Sequence, residues 1–394
     1  MKKHILIFSI AYVPYVGGAE IAIKEVTDRL LHYEFDMITI RYDSVLPRIE
    51  KIGNITVHRI GWGKQHPTEK DMISFPLYIN KIFFPILASL EAVRLSQKKT
   101  FNIVWSVISY AGFPALFFKI FYHSTPFVLS LQDGDTIQHV TKRFRIRIVW
   151  PLYRLIFRKA RAIHAISNYL AGFGRTMGAR DTSVIPNGVD SVLFKEKETL
   201  EKGELSLRDR LGISEEDTVL LSVSRLVPKN GLFDLLQALR YLAPTTKLIL
   251  VGDGPLRSEL KTFAKKIGVE EMIIFVGFIP YYELPPYYTI ADVFIRPSLS
   301  EGFGNVFLEA MASGVPVVAT PVGGITDIVS HGTTGFLCDL KNPEDIARSV
   351  RYILDDKNAV HVEQVIKNAL KMTSHAYTWD VVAGKMDRLF QNVL

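Results

Sequence analysis

The sequence predicts an α/β protein built from two doubly wound domains with parallel sheets. Short apolar runs such as "HILIFSI" and "KLILVG" alternate with segments of helical length along the 394 residues. Runs that are apolar at nearly every position are typical of parallel strands covered on both faces, and alternation with helices favours the α/β class. The rhythm occurs once in each half of the chain, and this length suffices for two hydrophobic cores.

The first half begins with a buried strand at "HILIFSI" and continues with strands at "FDMITI", "ITVHRI", "NIVWSV", "PFVLSL" and "AIHAI". The start also resembles a signal peptide, but His4 interrupts its apolar run and no small-residue cleavage site precedes Pro14. Gly112, Pro114 and Pro126 divide the apolar stretch 100–132 into pieces shorter than the ~20 residues of a membrane span. We therefore expect strand–helix–strand there.

The second half repeats the rhythm from "TVLLSVS" to "EDIARSVRYIL". Its start is marked by "IPNGVD", where proline, asparagine and glycine end the periodic pattern before a polar, charge-rich segment. We predict domains at 1–186 and 187–375, and a terminal helix within 376–394 that packs back toward the N-terminal domain.

Charge divides the chain in the same place. Residues 1–186 hold 25 basic and 13 acidic side chains and residues 187–394 hold 22 and 27, so the halves carry +12 and −5, which sum to +7. This asymmetry predicts different partners for the two halves. The single cysteine, Cys338, excludes a disulfide framework and a cysteine-built zinc site and is compatible with a reducing cytoplasm.

The segment 136–180 holds ten basic residues and no acidic one. We favour a patch that meets an anionic membrane surface, with Trp150, Tyr153 and Phe157 at the interface and apolar contact added by 75–90. A solvated helix face without a function is an alternative. Nucleic-acid binding is another, but no known module is visible, so we expect no nucleic-acid partner.

Four glycine-containing loops between a strand and a helix predict a nucleotide-like ligand: "VGGAE" (16–20), "VGDGP" (251–255), "SEGFGN" (300–305) and "VGGITD" (322–327). Ligands of parallel sheets bind at the carboxyl ends of the strands, where helix N-termini favour anions and glycine permits close approach of a phosphate. Arg225 and Lys229 follow another strand, in "SRLVPKNG". One interpretation is that these two residues lie in a solvated loop without a function. The other is that they lie next to the four glycine loops and neutralise a diphosphate.

Glu301 and Glu309 stand eight positions apart in "SEGFGNVFLEAMASG". On one continuous helix their side chains would point roughly 80° apart. We therefore place Glu301 in a loop and Glu309 two turns into the helix that follows.

These motifs resemble the retaining glycosyltransferases of family 4 (glycosyl transferases group 1), which have the GT-B fold. The glutamate pair stands with "IPNGVD", "SRLVPKNG", "LILVGDGP", "ADVFIRPS" and "VGGITDIV" in the order and spacing of that family, and "GGAE" matches near the N-terminus. The likeness is close over residues 184–347 and looser before them. It implies two Rossmann-like domains with an interdomain cleft, the N-terminal domain binding the acceptor and the C-terminal domain the nucleotide-sugar donor.

The resemblance also implies roles for single residues. Glu309 would hold the ribose hydroxyls of a UDP- or GDP-sugar, and Glu301 would bind hydroxyls of the transferred sugar. Arg225 and Lys229 would clamp the diphosphate and stabilise the charge that grows on the leaving group. Backbone groups would complete the donor site: the amides of Phe303, Gly304 and Asn305 between the glutamates, Gly17 and Gly18 over the phosphates, and Gly277 and Phe278 at the base.

Two positions depart from the family pattern. Gln132, in "LSLQDGDT", stands where many relatives have a histidine; its amide orients a sugar hydroxyl but exchanges no proton. This suits a mechanism in which the leaving phosphate oxygen takes the acceptor's proton on the same face, so that configuration is retained. Lys229 comes four residues after Arg225, whereas many relatives place this lysine five after, where Asn230 stands here.

The "DGD" sequence of Asp133 and Asp135 also fits the metal-binding motif of GT-A glycosyltransferases. The two-domain rhythm and the glutamate pair argue against it, so we expect no metal. The two aspartates are then expected to face the acceptor or to cap the next helix.

The sequence thus predicts a retaining, metal-independent hexosyltransferase that acts on a glycan or lipid-linked acceptor in cell-surface polysaccharide or glycolipid assembly. It is expected to be cytoplasmic and peripheral at the inner face of the membrane. The alternatives are a soluble enzyme that acts on a small sugar or sugar phosphate, a GT-B-fold sugar-nucleotide epimerase, and a non-catalytic basic binding protein.

Overall fold

The computed structural model describes residues 2–15, 17–72, 74–134, 148–195 and 205–394. The chain divides into two compact units: the first is Met1–Asn187 with Trp379–Leu394, and the second is Gly188–Thr378. Each described unit contains one sheet flanked by helices. The predicted α/β class with two largely parallel sheets is confirmed.

The sheet of the first unit has the strand order β3-β4-β2-β1-β5-β6-β7-β8. Its strands are β1 (Lys3–Phe8), β2 (Tyr33–Ile40), β3 (Ile49–Ile52), β4 (Ile55–Ile60), β5 (Ile103–Val107), β6 (Phe127–Leu131), β7 (Ala162–Ala165) and β8 (Thr182–Val184). Neighbouring strands pair in parallel, except that β3 is antiparallel to β4. This edge pair is joined through Gly53, whose φ of +55° permits the tight turn.

The helices of the first unit include one that comes from the end of the chain. They are α1 (Gly18–Arg29), α2 (Glu69–Met72), α3 (Leu77–Ser96), α4 (Gly112–Phe121), α5 (Trp150–Lys159), α6 (Asn168–Thr176) and α14 (Trp379–Val393). Apolar residues of α14 share a core with β1, β2 and β5, and the Phe390 ring lies edge-on to Trp105 at 5.3 Å between centroids.

The stretch 100–132 forms β5, a short 3-10 helix, α4 and β6, in agreement with the strand–helix–strand prediction. Among the described residues, no helix has both the length and the hydrophobicity needed to cross a membrane.

The sheet of the second unit is parallel throughout, with the order β11-β10-β9-β12-β13-β14. Its strands are β9 (Thr218–Val223), β10 (Thr246–Val251), β11 (Ile273–Gly277), β12 (Val293–Arg296), β13 (Val317–Ala319) and β14 (Phe336–Leu337). Its helices are α7 (Leu205–Arg210), α8 (Leu232–Ala238), α9 (Arg257–Ile267), α10 (Pro285–Thr289), α11 (Asn305–Ala312), α12 (Pro343–Leu354) and α13 (Ala359–Ala376).

The strand order of the second unit reverses direction between β9 and β12. The strands β10 and β11 follow on one side of β9, whereas β12, β13 and β14 follow on the other. The loops that leave such a pair diverge and open a crevice at the carboxyl ends of the strands, where ligands of doubly wound sheets bind.

Candidate active site

The loops that follow β9 and β12 carry three charged residues of the predicted site. Arg225 and Lys229 lie in the first loop and Glu301 in the second. The loops are joined directly, because the amide of Leu299 donates a hydrogen bond to the carbonyl of Lys229 at 2.7 Å. The structure therefore brings the predicted cations and the first glutamate to one edge of the second unit.

A third loop, after β13, packs tightly against the backbone of Glu301. The amide of Gly324 donates to the Glu301 carbonyl at 3.1 Å. Gly323 has a φ of +58°, and a Cβ on it would lie 1.9 Å from the same carbonyl oxygen. A side chain cannot be accommodated there, so glycine at position 323 is needed for the loops to close around Glu301.

Glu301 lies in a loop and Glu309 in α11, but the predicted depth of Glu309 in the helix is wrong. The helix begins at Asn305, so Glu309 is its fifth residue, a little over one turn from the start rather than two. Gly304 precedes the helix with a φ of +93°, outside the helical region, and this delays the first turn.

The carboxylate of Glu301 is buried, and each of its oxygens accepts one hydrogen bond within the second unit. Its Oε2 accepts a hydrogen bond from Nη2 of Arg296 at 2.5 Å, and its Oε1 accepts one from the amide of Gly302 at 2.9 Å. Nη2 of Arg296 also donates to Oδ1 of Asn230 at 2.9 Å, and Nδ2 of Asn230 donates to the carbonyl of Arg225 at 2.6 Å. A continuous polar network thus runs from Glu301 to the backbone of Arg225.

The carboxyl group of Glu309 is also buried and has a different partner. The hydroxyl of Tyr288, in α10, donates to its Oε2 at 2.7 Å. Burial raises the pKa of Glu309 to about 7, although the Tyr288 hydrogen bond and the charge of Arg296 both lower it. This carboxyl group therefore changes its charge near neutral pH.

The residues predicted to make backbone contacts with the donor lie in the same unit as these glutamates. Phe303 and Gly304 are buried and lead into α11, whose first turn has no side-chain cap because the capping residue is a glycine. Gly277 ends β11 with a φ of +94°, and the adjacent Phe278 exposes 67% of its surface. The contacts of these residues with phosphate and base stay predictions.

The remaining predicted site residues lie in the first unit, at the carboxyl edge of its sheet. Gly17 caps α1 and Gly18 is its first residue, and the Gly17 amide donates to Oε2 of Glu20 at 2.8 Å. Gln132 follows β6, and its Oε1 accepts a hydrogen bond from Nδ2 of Asn187 at 3.1 Å. The roles predicted for these three residues also stay predictions.

The Asp-x-Asp alternative falls partly outside the described residues, which end at Gly134 before the next segment begins at residue 148. Asp133 accepts a hydrogen bond from the amide of Ser109 at 3.2 Å, whereas Asp135 is not among the described residues. Among those that are, no three His, Cys, Asp or Glu side chains cluster as metal ligands.

The basic segment requires one correction. Tyr153 and Phe157 were expected at a membrane interface, but both are buried, since they form the apolar face of α5 and pack on each other with ring centroids 5.3 Å apart. Trp150 is half-buried. The basic residues up to position 147 lie outside the described residues.

Sequence reasoning missed Arg296, Asn230 as a network member, and Tyr288. A lone arginine at the end of the apolar run "ADVFIRPS" was a usable indication, because a charged residue is rarely buried without a partner. The sequence "PPYYT" gives no comparable indication for Tyr288, since either tyrosine could face the core.

Comparison with known proteins connects this geometry to a family. The family model described as "Glycosyl transferases group 1" matches residues 204–372, and that described as "Glycosyltransferase Family 4" matches residues 16–192. The chain is 32% identical over 210 residues to "Uncharacterized glycosyltransferase MJ1607" of Methanocaldococcus jannaschii, a match that covers 53% of each chain.

A second relative is the "GDP-mannose-dependent alpha-(1-6)-phosphatidylinositol monomannoside mannosyltransferase" of Mycobacterium tuberculosis. It is 32% identical over 230 residues, which cover 56% of this chain and 57% of the relative. The chain thus spans about half the length of these curated relatives. Among solved structures, Anabaena Alr3699/HepE in complex with UDP-glucose aligns with a TM-score of 0.80 over 99% of both chains at 22% identity, which shows a shared fold.

Proposed function

The chain belongs to the glycosyltransferases, in the group 1 and family 4 classes, and on this premise we propose that it transfers a sugar from a nucleotide-sugar donor to a glycan acceptor. The convergence of Glu301, Glu309 and Arg225 at the β9–β12 reversal carries the proposal. A sugar diphosphate needs acceptors for its hydroxyls and cations for its phosphates, and this edge offers both within three packed loops.

The two glutamates bind different parts of the donor. Glu309 binds the ribose hydroxyls, and Glu301 binds hydroxyls of the transferred sugar. Arg225 and Lys229 hold the diphosphate, together with the backbone of Phe303, Gly304 and Asn305. The exposed ring of Phe278 is available for stacking on the base. A GDP-mannose-dependent relative and a neighbour bound to UDP-glucose support a UDP- or GDP-sugar as the donor.

The reaction retains the configuration of the transferred sugar and uses no metal. The bond from the anomeric carbon to the leaving phosphate oxygen breaks, and a bond to the acceptor oxygen forms on the same face. The acceptor's hydroxyl proton passes to the leaving phosphate oxygen. Arg225 and Lys229 stabilise the charge that develops on that oxygen, and Gln132, held by Asn187, orients a sugar hydroxyl.

The acceptor is lipid-linked, and the enzyme works on an anionic membrane surface. Support comes from α3, where Ile82, Phe83, Ile86 and Leu90 are each about half exposed, between 49% and 54%. At 100° per residue these four lie within an arc of roughly 100°, and Arg94 is the next exposed residue on that side. A helix with such a face, in the half of the chain that carries +12, suits an interface with anionic headgroups.

Nucleotide-dependent melting tests the donor assignment. A ligand at 100 times its Kd raises the free energy of unfolding by about 2.7 kcal/mol, so UDP, GDP and ADP can be ranked by their effect on Tm. We expect UDP or GDP to raise Tm, and Glu309→Ala to abolish the response. Glu301→Ala should keep the response and lose sugar transfer.

Glu363→Ala is the matched control, because Glu363 is exposed on α13 and pairs only with Lys367 among the contacts described. It should keep both the nucleotide response and transfer. If no nucleotide stabilises the wild-type protein and no nucleotide sugar is consumed, the proposed function is wrong. Equal loss of both properties in both glutamate variants would reject the division of roles.

A further inference from the structure

Arg296 is a buried cation at the centre of the proposed donor site, and no role has been assigned to it above. It is the last residue of β12 and exposes 8% of its surface. A buried guanidinium group is costly to desolvate and is retained only with good partners, while loss of one partner leaves an uncompensated charge. The identity of its partners therefore indicates what it does.

A single nitrogen of Arg296 connects two loops. Nη2 donates to Glu301, which lies five positions further along the chain, and to Asn230, which lies 66 positions earlier. Asn230 is itself 1% exposed and uses its amide group to hold the carbonyl of Arg225. Arg296 thus links the carboxylate predicted to bind the sugar with the backbone predicted to carry the phosphate cation.

The guanidinium group also lies near α11. Its Cζ lies 6.0 Å from the ring centroid of Phe307, within the range of a cation–π contact, and its charge acts on Glu309, two residues further along that helix. Its Nε is buried and has no hydrogen-bond partner among the described residues. Arg296 therefore influences both glutamates, one by direct contact and one through its field.

We propose that Arg296 is the positioning residue of this site. It fixes the Glu301 carboxylate in one orientation and, through Asn230, holds the Arg225 loop at one distance from it, so that the sugar and the diphosphate of a single donor are gripped together. The proposal rests on the proposed function. The competing explanation is a buried ion pair that only stabilises the second unit.

The test uses Arg296→Met, Arg296→Lys, Glu301→Gln and the double variant Arg296→Met/Glu301→Gln in the full chain. The exposed Arg348→Met, which removes a surface pair with Asp345, is the control. The measurements are Tm, the Kd of UDP and GDP, and kcat and KM for the donor. We expect Arg296→Met to lower kcat at least tenfold and to weaken nucleotide binding by a smaller factor, because loss of its charge also raises the pKa of Glu309.

Non-additivity separates positioning from a merely structural role. If Arg296 acts through Glu301, the double variant should be within about twofold of Glu301→Gln alone in kcat. Arg296→Lys should restore part of the lost kcat, since it keeps the charge but not the planar two-partner geometry. Should Arg296→Met fail to fold, Arg296→Lys carries the test, with a lowered kcat and an unchanged nucleotide Kd as the expected result.

The proposal is overturned if Arg296→Met, or Arg296→Lys where Arg296→Met does not fold, has the kcat of the wild type. It is also overturned if the factor by which kcat falls in the double variant equals the product of the factors in the two single variants. Both results leave the proposed function intact. Absence of transfer by the wild-type protein would instead reject the proposed function. In that case the carboxyl 13C titration of Glu309 still tests Arg296, because removal of its charge should move that titration to higher pH, and an unmoved titration contradicts the placement of this charge.

Discussion

The hydroxyl of Tyr288 donates a hydrogen bond to Oε2 of Glu309 at 2.7 Å, and both side chains are buried. Burial raises the pKa of both groups, that of Glu309 to about 7 and that of Tyr288 well above its ordinary value. The tyrosine therefore stays protonated and always donates, whereas the carboxyl group gains or loses its charge near neutral pH. The proposed ribose-binding carboxylate is thus held in place by a permanent donor.

Replacing Tyr288 by phenylalanine should destabilise the protein by roughly 1–3 kcal/mol, because a buried carboxyl oxygen loses its partner. The pKa of Glu309 should rise further, and the affinity for UDP or GDP at pH 7 should fall. Chemical denaturation measures the loss of stability, and titration calorimetry measures the loss of nucleotide affinity. Tyr287→Phe, on the same helix and less buried, is the control and should change neither quantity appreciably. Equal effects of the two substitutions would contradict the role of the Tyr288 hydroxyl.

Stability should depend on pH through Glu309. Its folded-state pKa of about 7 lies above the ordinary value of 4.5, so between these values the native protein binds a proton that the unfolded chain has released. Glu309 therefore contributes to the free energy of unfolding at low pH, and this contribution, about 3 kcal/mol at most, is lost as pH rises through 7. The free energy of unfolding of wild type minus that of Glu309→Gln should fall between pH 5 and pH 8. A difference that does not change with pH would show that Glu309 is not buried in this way.

The fold class was predictable because strands covered on both faces are continuous apolar runs. Every residue of β5 and β6 is buried, and the sequence shows both as uninterrupted apolar segments apart from one serine each. Glycine identified the loop of Glu301, and the position directly after an apolar strand identified the loop of Arg225 and Lys229. Periodicity and turn residues are local properties, so they sufficed for these features.

What the sequence could not predict depends on neighbours that are distant in the chain. Arg296 meets Asn230 only because β12 lies beside β9, and no local pattern specifies that strand order. Tyr153 and Phe157 were assigned to a membrane interface because aromatic residues among cations fit both a core-facing and a surface-facing helix side. The depth of Glu309 in α11 was misjudged because Gly304 has a φ of +93° and stays outside the helix, and the sequence does not reveal the conformation of a single glycine.

Substituting Gly323 by alanine should disrupt the donor site. The Cβ would lie 1.9 Å from the Glu301 carbonyl oxygen, so the loops must separate, and the positive φ adds strain of roughly 1–2 kcal/mol. Gly268→Ala isolates the strain, because Gly268 has a similar φ of +74° but nothing within 4 Å of the added atom. We expect Gly323→Ala to lose more stability than the control and, unlike it, to lose nucleotide-induced stabilisation. A nucleotide response that survives in Gly323→Ala would show that these loops need not be closed.

Truncating Phe390 to alanine should destabilise the first unit by roughly 3–5 kcal/mol. The ring is fully buried and lies edge-on to both Trp105 and Tyr33, so its removal leaves a cavity between α14 and the sheet. Unfolding in denaturant, monitored by tryptophan fluorescence, measures this loss of stability, since Trp105 is a direct neighbour of Phe390. Replacing the exposed neighbour Gln391 by alanine is the control and should leave the free energy of unfolding nearly unchanged. A small effect of Phe390→Ala would mean that α14 contributes little to this core.

Charged substitutions on α3 should release the protein from anionic membranes. The triple change of Ile82, Ile86 and Leu90 to glutamate places three negative charges on a half-exposed apolar face, so it removes the apolar contact and repels anionic headgroups. Cosedimentation with vesicles of phosphatidylglycerol and phosphatidylcholine should show at least a tenfold weaker association, while the UDP or GDP response in melting is unchanged. Val360→Glu, at an 84% exposed apolar residue of α13 in the second unit, is the control for added charge and should bind like wild type. Undiminished binding of the triple variant, or equal weakening by the control, would reject α3 as the membrane contact and favour an enzyme that meets its acceptor in solution.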